Sequence, residues 1–328
     1  MTRFIITGGS GFVGNYLIQT LNSLFPECEI HNLDLKPSKL SLTNLVNHEI
    51  DLTEISSISS FNFLKEDYIF HLAARIFTEN VPRRNLRDYW FESTNVEGTS
   101  NLIEIMERDN ANQIAFLSTD MVYGFPREIP IKVSHPLVPN GAYGSSKVKA
   151  EKLITSFGSK ENNRSLVFRP RMIMGPGRMG ILNKLFFLIS NNLPVPMIGN
   201  GNNRYQFISV YDCVEALIKL IEIKESNGIF NLGSENPPRV RDLLKSLIKE
   251  VNSNSILFPT WGAPVKKTLE IMDKLNLTLI YPEQFLIADQ EYVLDTVSLR
   301  ENLNFRPKYK DEDMILEAYK NYLKIMNN

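Results

Sequence analysis

Cysteine is scarce in this chain: Cys28 and Cys213 are the only two among 328 residues. Two such residues give neither the paired spacing of a metal site nor the framework of a disulfide-stapled fold. A reducing, cytoplasmic setting without a bound metal is therefore expected. An excess of one charge sign is also missing: 36 Lys and Arg against 37 Asp and Glu leave a net charge of -1. That balance gives no electrostatic reason to expect nucleic acid or an acidic membrane as a partner. No apolar run reaches the roughly 18 residues of a membrane span, so no stable membrane insertion is expected. Repeats, low-complexity tracts and like-charge tails are absent. A strand-like run, Phe4-Ile5-Ile6, comes almost at once, which is unlike a secretory leader. What the chain does have is ordinary globular composition, 43% hydrophobic and 22% charged, enough for a sizeable core in one large domain or two moderate ones.

Short apolar runs alternate with amphipathic stretches through the first half. Strands are expected over Arg3–Thr7, Glu29–Asp34, Asp67–His71, Gln113–Ser118 and Ser165–Arg169. Helices are expected after Gly14, over Arg84–Arg108 and over Asn140–Phe157. This is the pattern of a parallel sheet covered on both faces, an α/β fold of the doubly wound Rossmann type. Beyond Pro170, glycines and prolines break the chain, and a smaller mixed α/β C-terminal substrate lobe is expected. The division reads 1–170 as the dinucleotide-binding domain, with 204–228 completing its sheet, and 171–203 plus 229–328 as the lobe. Within the lobe, Glu291–Leu294 reads as a strand; in the 204–228 segment, Asp212 reads as a helix N-cap paired with Glu215.

Three features carry chemistry. Gly8, Gly11 and Gly14 follow a strand and open a helix, the context in which glycines admit a pyrophosphate to free backbone N–H groups and the positive end of a helix. Asp34 ends the second strand, 20 residues beyond Gly14. A carboxylate there accepts bonds from a ribose 2'-hydroxyl and repels a 2'-phosphate, favouring NAD over NADP, with Lys36 and Lys39 pulling the other way. Tyr143 and Lys147 lie four residues apart, on one face if the stretch is helical. A cation beside a phenol favours the phenolate, which makes a proton shuttle of the kind hydride transfer at an alcohol carbon requires.

Together with Asp51-Leu52, His71-Leu72-Ala73-Ala74, Asn95 in Asn-Val-Glu-Gly-Thr99, Leu117-Ser118-Thr119-Asp120-Met121-Val122-Tyr123-Gly124 and Tyr143-Gly-Ser-Ser-Lys147, these features resemble the extended short-chain dehydrogenase/reductases. That family comprises the NAD-dependent nucleotide-sugar epimerases, dehydratases and reductases, and the likeness covers nearly the whole chain. It implies cofactor contacts from Gly8, Gly11, Phe12, Val13, Gly14, Asp34, Asp51, Leu52, Leu72, Ala73, Ala74, Asn95, Tyr143 and Lys147. It implies Thr119 as a hydroxyl bonded to the reacting sugar oxygen, Tyr143 as acid/base, and Lys147 as the nicotinamide-ribose contact. Asp120, Met121 and Arg204 fall to the substrate, Arg204 matching an arginine used on the diphosphate. From chemistry alone, Thr119 is equally a strand-end residue bonding its own backbone, and Arg204 a surface cation. The resemblance also implies a homodimer through the helices beginning near Arg84 and Asn140.

Two departures stand out. Met121 occupies the position where sugar 4,6-dehydratases carry the glutamate that removes the C5 proton, and a thioether is no base. Met172 stands where many members carry an asparagine against the substrate diphosphate. The expectation is a nucleotide-sugar 4-epimerase, with two other readings: a reductase or dehydrogenase of a nucleotide-linked 4-keto sugar, or a dinucleotide-binding protein without catalysis.

Overall fold

A computed structural model of the chain describes residues 2–77, 81–178, 182–223, 227–277 and 280–326. Six strands of the first half, β1 (Arg3–Thr7), β2 (Glu29–Asp34), β3 (Leu45–Glu49), β4 (Tyr68–His71), β5 (Gln113–Leu117) and β6 (Arg164–Pro170), join the strand Gly228–Leu232 in one sheet. The order is Gly228–Leu232, β6, β5, β4, β1, β2, β3, and every pairing is parallel. The order reverses beside β1, which opens a crevice at the carboxyl ends of β1 and β4.

Side chains of a strand alternate between faces, so the apolar run of β1 feeds two cores. Phe4 and Ile6 pack with Leu17, Ile18 and Leu21 of the helix Phe12–Leu24 and with Val214 and Leu217 of the helix Val210–Glu222. Ile5 packs on the other face with Leu102 and Ile105 of the helix Gly98–Arg108 and Ile154 of the helix Ala142–Gly158. The expected doubly wound α/β architecture is therefore present.

Several local expectations are corrected. The helix expected over Arg84–Arg108 is interrupted: Arg87–Glu92 and Gly98–Arg108 are α-helical, and Ser93–Glu97 between them forms a wider π turn. Apolar periodicity does not register this turn; its buried residues are the polar Ser93 and Asn95. β3 is absent from the expected strands because Leu45–Glu49 is a half-exposed edge strand with little apolar content. The strand that completes the sheet is Gly228–Leu232, whose buried Phe230 and Leu232 pack on the first core. It begins at the last residue of the 204–228 segment expected to do so, and residues 229–232 leave the lobe expected to hold them. Phe207–Ser209 instead pairs with Met172–Met174 in a separate two-stranded ribbon. Glu291–Leu294 makes only isolated bridges, Tyr292 to Tyr205 and Leu294 to Ile131. The helix Val210–Glu222 is capped by Ser209, whose Oγ accepts the Tyr211 N–H. Asp212 accepts the backbone N–H groups of Lys308 and Tyr309 instead, and Glu215 pairs with the Lys308 Nζ.

The lobe has its own core. Phe186 of Leu182–Ser190, Leu243 and Leu247 of Val240–Glu250, and Ile315 and Tyr319 of Asp311–Met326 close on Val195 and Met197. Asp311 ties the last helix to the ribbon strand Phe207–Ser209 and to the turn after Gly228–Leu232 by accepting from the Phe207 N–H at 2.8 Å and the Ser234 hydroxyl at 2.5 Å.

Candidate active site

The crevice is built by close backbone approach. Gly8 has φ +73°, and a Cβ on it would stand 2.7 Å from the Ala73 backbone. A Cβ on Gly14 would meet the backbone of Gly8 and Gly9. Both positions therefore exclude side chains, and the start of the helix Phe12–Leu24 is held open beside Ala73. Gly8 N–H donates to the Leu33 carbonyl and Leu72 N–H to the Thr7 carbonyl, both at 3.0 Å, so the ends of β1, β2 and β4 are locked together. Asp34 meets this loop from β2, its carboxylate accepting the Ser10 N–H at 3.0 Å. Free N–H groups at a helix start, a cradle a Cβ would fill and a carboxylate at the strand end fit a dinucleotide with an unphosphorylated ribose.

The neighbouring residues divide by role. Asp51 closes a local turn, accepting the Thr53 N–H and hydroxyl at 2.9 and 2.7 Å. Leu52 is buried against Gly98, and its carbonyl accepts from Asn101. Asn95 is a buried clamp: its Oδ1 accepts the Arg75 N–H, and its Nδ2 donates to the Arg75 carbonyl and the Ser146 hydroxyl. It thereby joins the segment after Ala74 to the helix carrying Tyr143. His71 sits between the Thr7 and Thr99 hydroxyls, with its pKa pushed by burial down to about 3, so it is a neutral core group.

At the reacting end, Thr119 follows β5 and Tyr143 opens the helix Ala142–Gly158, with the Thr119 hydroxyl facing the Tyr143 phenol. Phe77 and Phe91 flank the Tyr143 ring, with centroids at 5.3 and 5.5 Å. Burial raises the phenol pKa, and Arg178 opposes that rise. Lys147 is also buried, which pushes its pKa down to about 7. Its Nζ donates to the Leu117 carbonyl at 2.8 Å and lies 3.9 Å from the Phe116 ring centroid. Arg178 was not singled out in the sequence. Its guanidinium stands 5.6 Å from the Phe12 ring, so it faces the glycine loop as well as Tyr143. Tyr16 donates to the Pro176 carbonyl and Asn321 accepts the Gly177 N–H, anchoring the loop that presents it.

Behind Thr119 lies a buried ion pair. Asp120 receives the Thr119 hydroxyl on Oδ1 at 3.3 Å and Arg171 Nη1 on Oδ2. The Arg171 guanidinium is sandwiched between Tyr205 and Tyr292, at 4.0 and 4.2 Å from their centroids. The Tyr292 hydroxyl donates to the Asp120 carbonyl at 3.0 Å. Burial pushes the Asp120 carboxyl up, and the guanidinium opposes it. Met121 contributes its N–H to the Thr119 hydroxyl at 3.3 Å. Arg204, by contrast, is half-exposed and paired with Glu291, which also accepts its backbone N–H at 2.7 Å.

The model of the NAD dependent epimerase/dehydratase family matches residues 4–233. This chain belongs to that family. As a member of the NAD dependent epimerase/dehydratases it is 29% identical over 268 residues to the dTDP-D-glucose 4,6-dehydratase of Mus musculus, covering 77% of this chain and 75% of that protein. It is 25% identical over 318 residues to the uncharacterized protein y4nG of Sinorhizobium fredii, covering 97% and 78%. Among solved structures, the UDP-N-acetylglucosamine 4-epimerase of Methanobrevibacter ruminantium, in complex with UDP-N-acetylmuramic acid, shares its fold with a TM-score of 0.76 at 21% identity, over 99% of both chains. NAD is accordingly the cofactor this family uses, and the crevice fits it. Among the described residues no helix is long and apolar enough to cross a membrane.

Proposed function

We propose that this chain is a nucleotide-sugar 4-epimerase. When bound, NAD supplies the two-electron acceptor and donor for hydride at the sugar carbon. Tyr143 takes and returns the proton of the 4-hydroxyl, with Thr119 bonded to the same reacting oxygen. Arg178 is the cation that faces the phenol, and such a cation favours its ionised form; Lys147, held on the Leu117 carbonyl, would take the nicotinamide ribose. Phe77 and Phe91 keep water from the ring. Arg204 would exchange Glu291 for the substrate diphosphate, a geometry a guanidinium suits through paired bonds.

The observation that carries the choice of epimerisation is the pair of residues after Thr119. Elimination of water from a sugar requires an acid and a carbon base at this place. Met121 is no base, and both Asp120 oxygens are engaged, one by Thr119 and one by Arg171. What remains is hydroxyl-proton handling alone, which epimerisation needs and elimination exceeds. The mouse relative is a dehydratase by name, so the distinction has to be made by experiment.

Purified protein would be incubated with UDP- and dTDP-hexoses without added reductant and followed by proton NMR at C4. Interconversion of C4 epimers without net change in nicotinamide absorbance is the expected result. A 4-keto-6-deoxy product would overturn the proposal in favour of elimination. Product formed only in proportion to added NADH or NADPH would overturn it in favour of a keto-sugar reductase.

A further inference from the structure

One carboxylate near Tyr143 has no place in the mechanism above. Glu283 lies in the short turn of helix Pro282–Phe285, 140 residues along the chain from the tyrosine. Its Oε1 accepts the Tyr143 N–H at 3.1 Å and its Oε2 the Gly144 N–H at 3.0 Å. These are first-turn donors of the helix Ala142–Gly158, which has no side-chain cap of its own at Gly141. A carboxylate is the group that best satisfies such donors, because it completes their hydrogen bonds and meets the positive end of the helix. Gly141 makes room for it, since a Cβ there would collide with the Glu283 carboxylate.

The surrounding contacts hold this segment against the tyrosine from a second side. Tyr281 stacks on Phe77 with centroids 4.5 Å apart, and Phe77 in turn packs edge-on against Tyr143. Arg87 lies over Tyr281 at 5.2 Å and pairs with the buried Asp273 of the helix Gly262–Lys274 at 2.8 Å. The turn is therefore fastened to Phe77 and Arg87 of the first half as well as to the catalytic helix.

We infer that Glu283 is the positioning residue of Tyr143: the lobe reaches across and fixes the backbone turn that aims the phenol. The inference rests on the reading of Tyr143 as acid/base. The charged groups that face Glu283 are Arg87 and Asp88, and those that face the phenol are Arg178, Asp120 and Glu283 itself. Burial pushes the Glu283 carboxyl up to about 7, with the two N–H bonds opposing. Its ionised form also disfavours a phenolate at Tyr143. Proton loss at Glu283 thus strengthens the cap while making the phenol harder to ionise.

The full chain in three forms decides the matter: wild type, Glu283→Gln and Glu283→Ala. The ionisation of Tyr143 is followed by ultraviolet difference titration against Tyr143→Phe, and amide exchange of Tyr143 and Gly144 by mass spectrometry. In Glu283→Gln the phenol midpoint should fall by about one pH unit, since a negative neighbour is removed. In Glu283→Ala the two amides should exchange at least about tenfold faster, and kcat should fall about tenfold to a hundredfold with KM little changed. An unchanged phenol midpoint in Glu283→Gln, or unchanged exchange in Glu283→Ala, overturns the inference. Should Glu283→Ala not fold, the glutamine variant decides alone, because its amide oxygen still takes one N–H. Neither readout needs a sugar, so a wild type inactive on every hexose tested would refute the epimerase reading and leave this inference to be judged separately.

Discussion

Two arginines, two residues apart, meet buried carboxylates in opposite ways. Arg169, on β6, is satisfied on every nitrogen: Nε and Nη2 donate to Glu151, and Nη1 to the Tyr123 hydroxyl and the Val133 carbonyl. Glu151 also receives the Ser118 hydroxyl. Arg171, just past the strand, gives Asp120 one nitrogen, and its Nε and Nη2 have no hydrogen-bond partner among the described residues. Two tyrosine rings take the place of polar partners. A complete network rigidifies its surroundings, whereas an incomplete one leaves free energy unspent. The first pair braces the back of the sheet. The second stands behind Thr119, reaching it only through Asp120, with two unmet donors held beside the tyrosine rings.

The sharpest test of this contrast separates function from stability. Tyr143→Phe removes the proposed acid/base and leaves both ion pairs intact. Turnover should drop by about 10²–10⁴, with thermal midpoint nearly unchanged, as read by steady-state kinetics beside calorimetry. Arg169→Met should do the reverse. It strands Glu151 in the core, at a cost of about 3–5 kcal/mol, seen as a lowered midpoint in urea unfolding. Arg171→Met should destabilise less, by about 1–3 kcal/mol, because two unpartnered donors leave the core along with the charge, while kcat falls more than in the first arginine variant. Equal stability losses for the two would break the contrast.

A pH scan sharpens it further, because two buried groups near the tyrosine titrate in adjoining windows. Glu283 has a folded pKa raised from the ordinary carboxyl range to about 7. Its contribution is fully present below the unfolded value and is lost as pH rises towards 7. Lys147 has a folded pKa lowered to about 7. Its contribution is present above the unfolded value, near pH 10.4, and is lost as pH falls towards 7. Each slope is at most about 1.4 kcal/mol per pH unit. Cofactor-free protein should therefore lose stability towards neutrality from either side. Glu283→Gln should flatten the acid limb and Lys147→Met the alkaline one, measured by thermal midpoints across the scan. The smallest effect is expected at the exposed Arg204–Glu291 pair. Arg204→Ala should change stability by under about 1 kcal/mol yet raise the KM for a nucleotide sugar, with kcat unchanged.

The parts legible in the sequence are those set by local chemistry. The glycine turn, the carboxylate ending β2 and the phenol on a helix each depend on a few adjacent residues, and each lies where its spacing puts it. The parts that were not legible depend on distant chain. Glu283 is one acid in a loop-like stretch until the fold brings it to the Tyr143 N–H, and Arg178 is one cation after a Gly-Pro-Gly turn. Asn95 sits at a π turn that an apolar stripe cannot reveal, since its cause is polar bonding across to Arg75 and Ser146. Asp212 precedes a run of helix formers and looks like a cap, but Ser209 is nearer the true start and Lys308 claims the carboxylate.

The ties at Asp212 and Asp311 carry a practical consequence. Residues 308 and 309 are bonded to a helix that covers the sheet, residue 311 is bonded to both Phe207 and Ser234, and the last sheet strand comes after a first piece of the lobe, 171–203, and before the rest of it. The polypeptide is laced back and forth between its halves, so no single cut yields a cofactor module and a sugar module that could be expressed apart. Swapping sugar preference with another member of the family would mean exchanging several discontinuous segments at once, each together with the aspartate that fastens it.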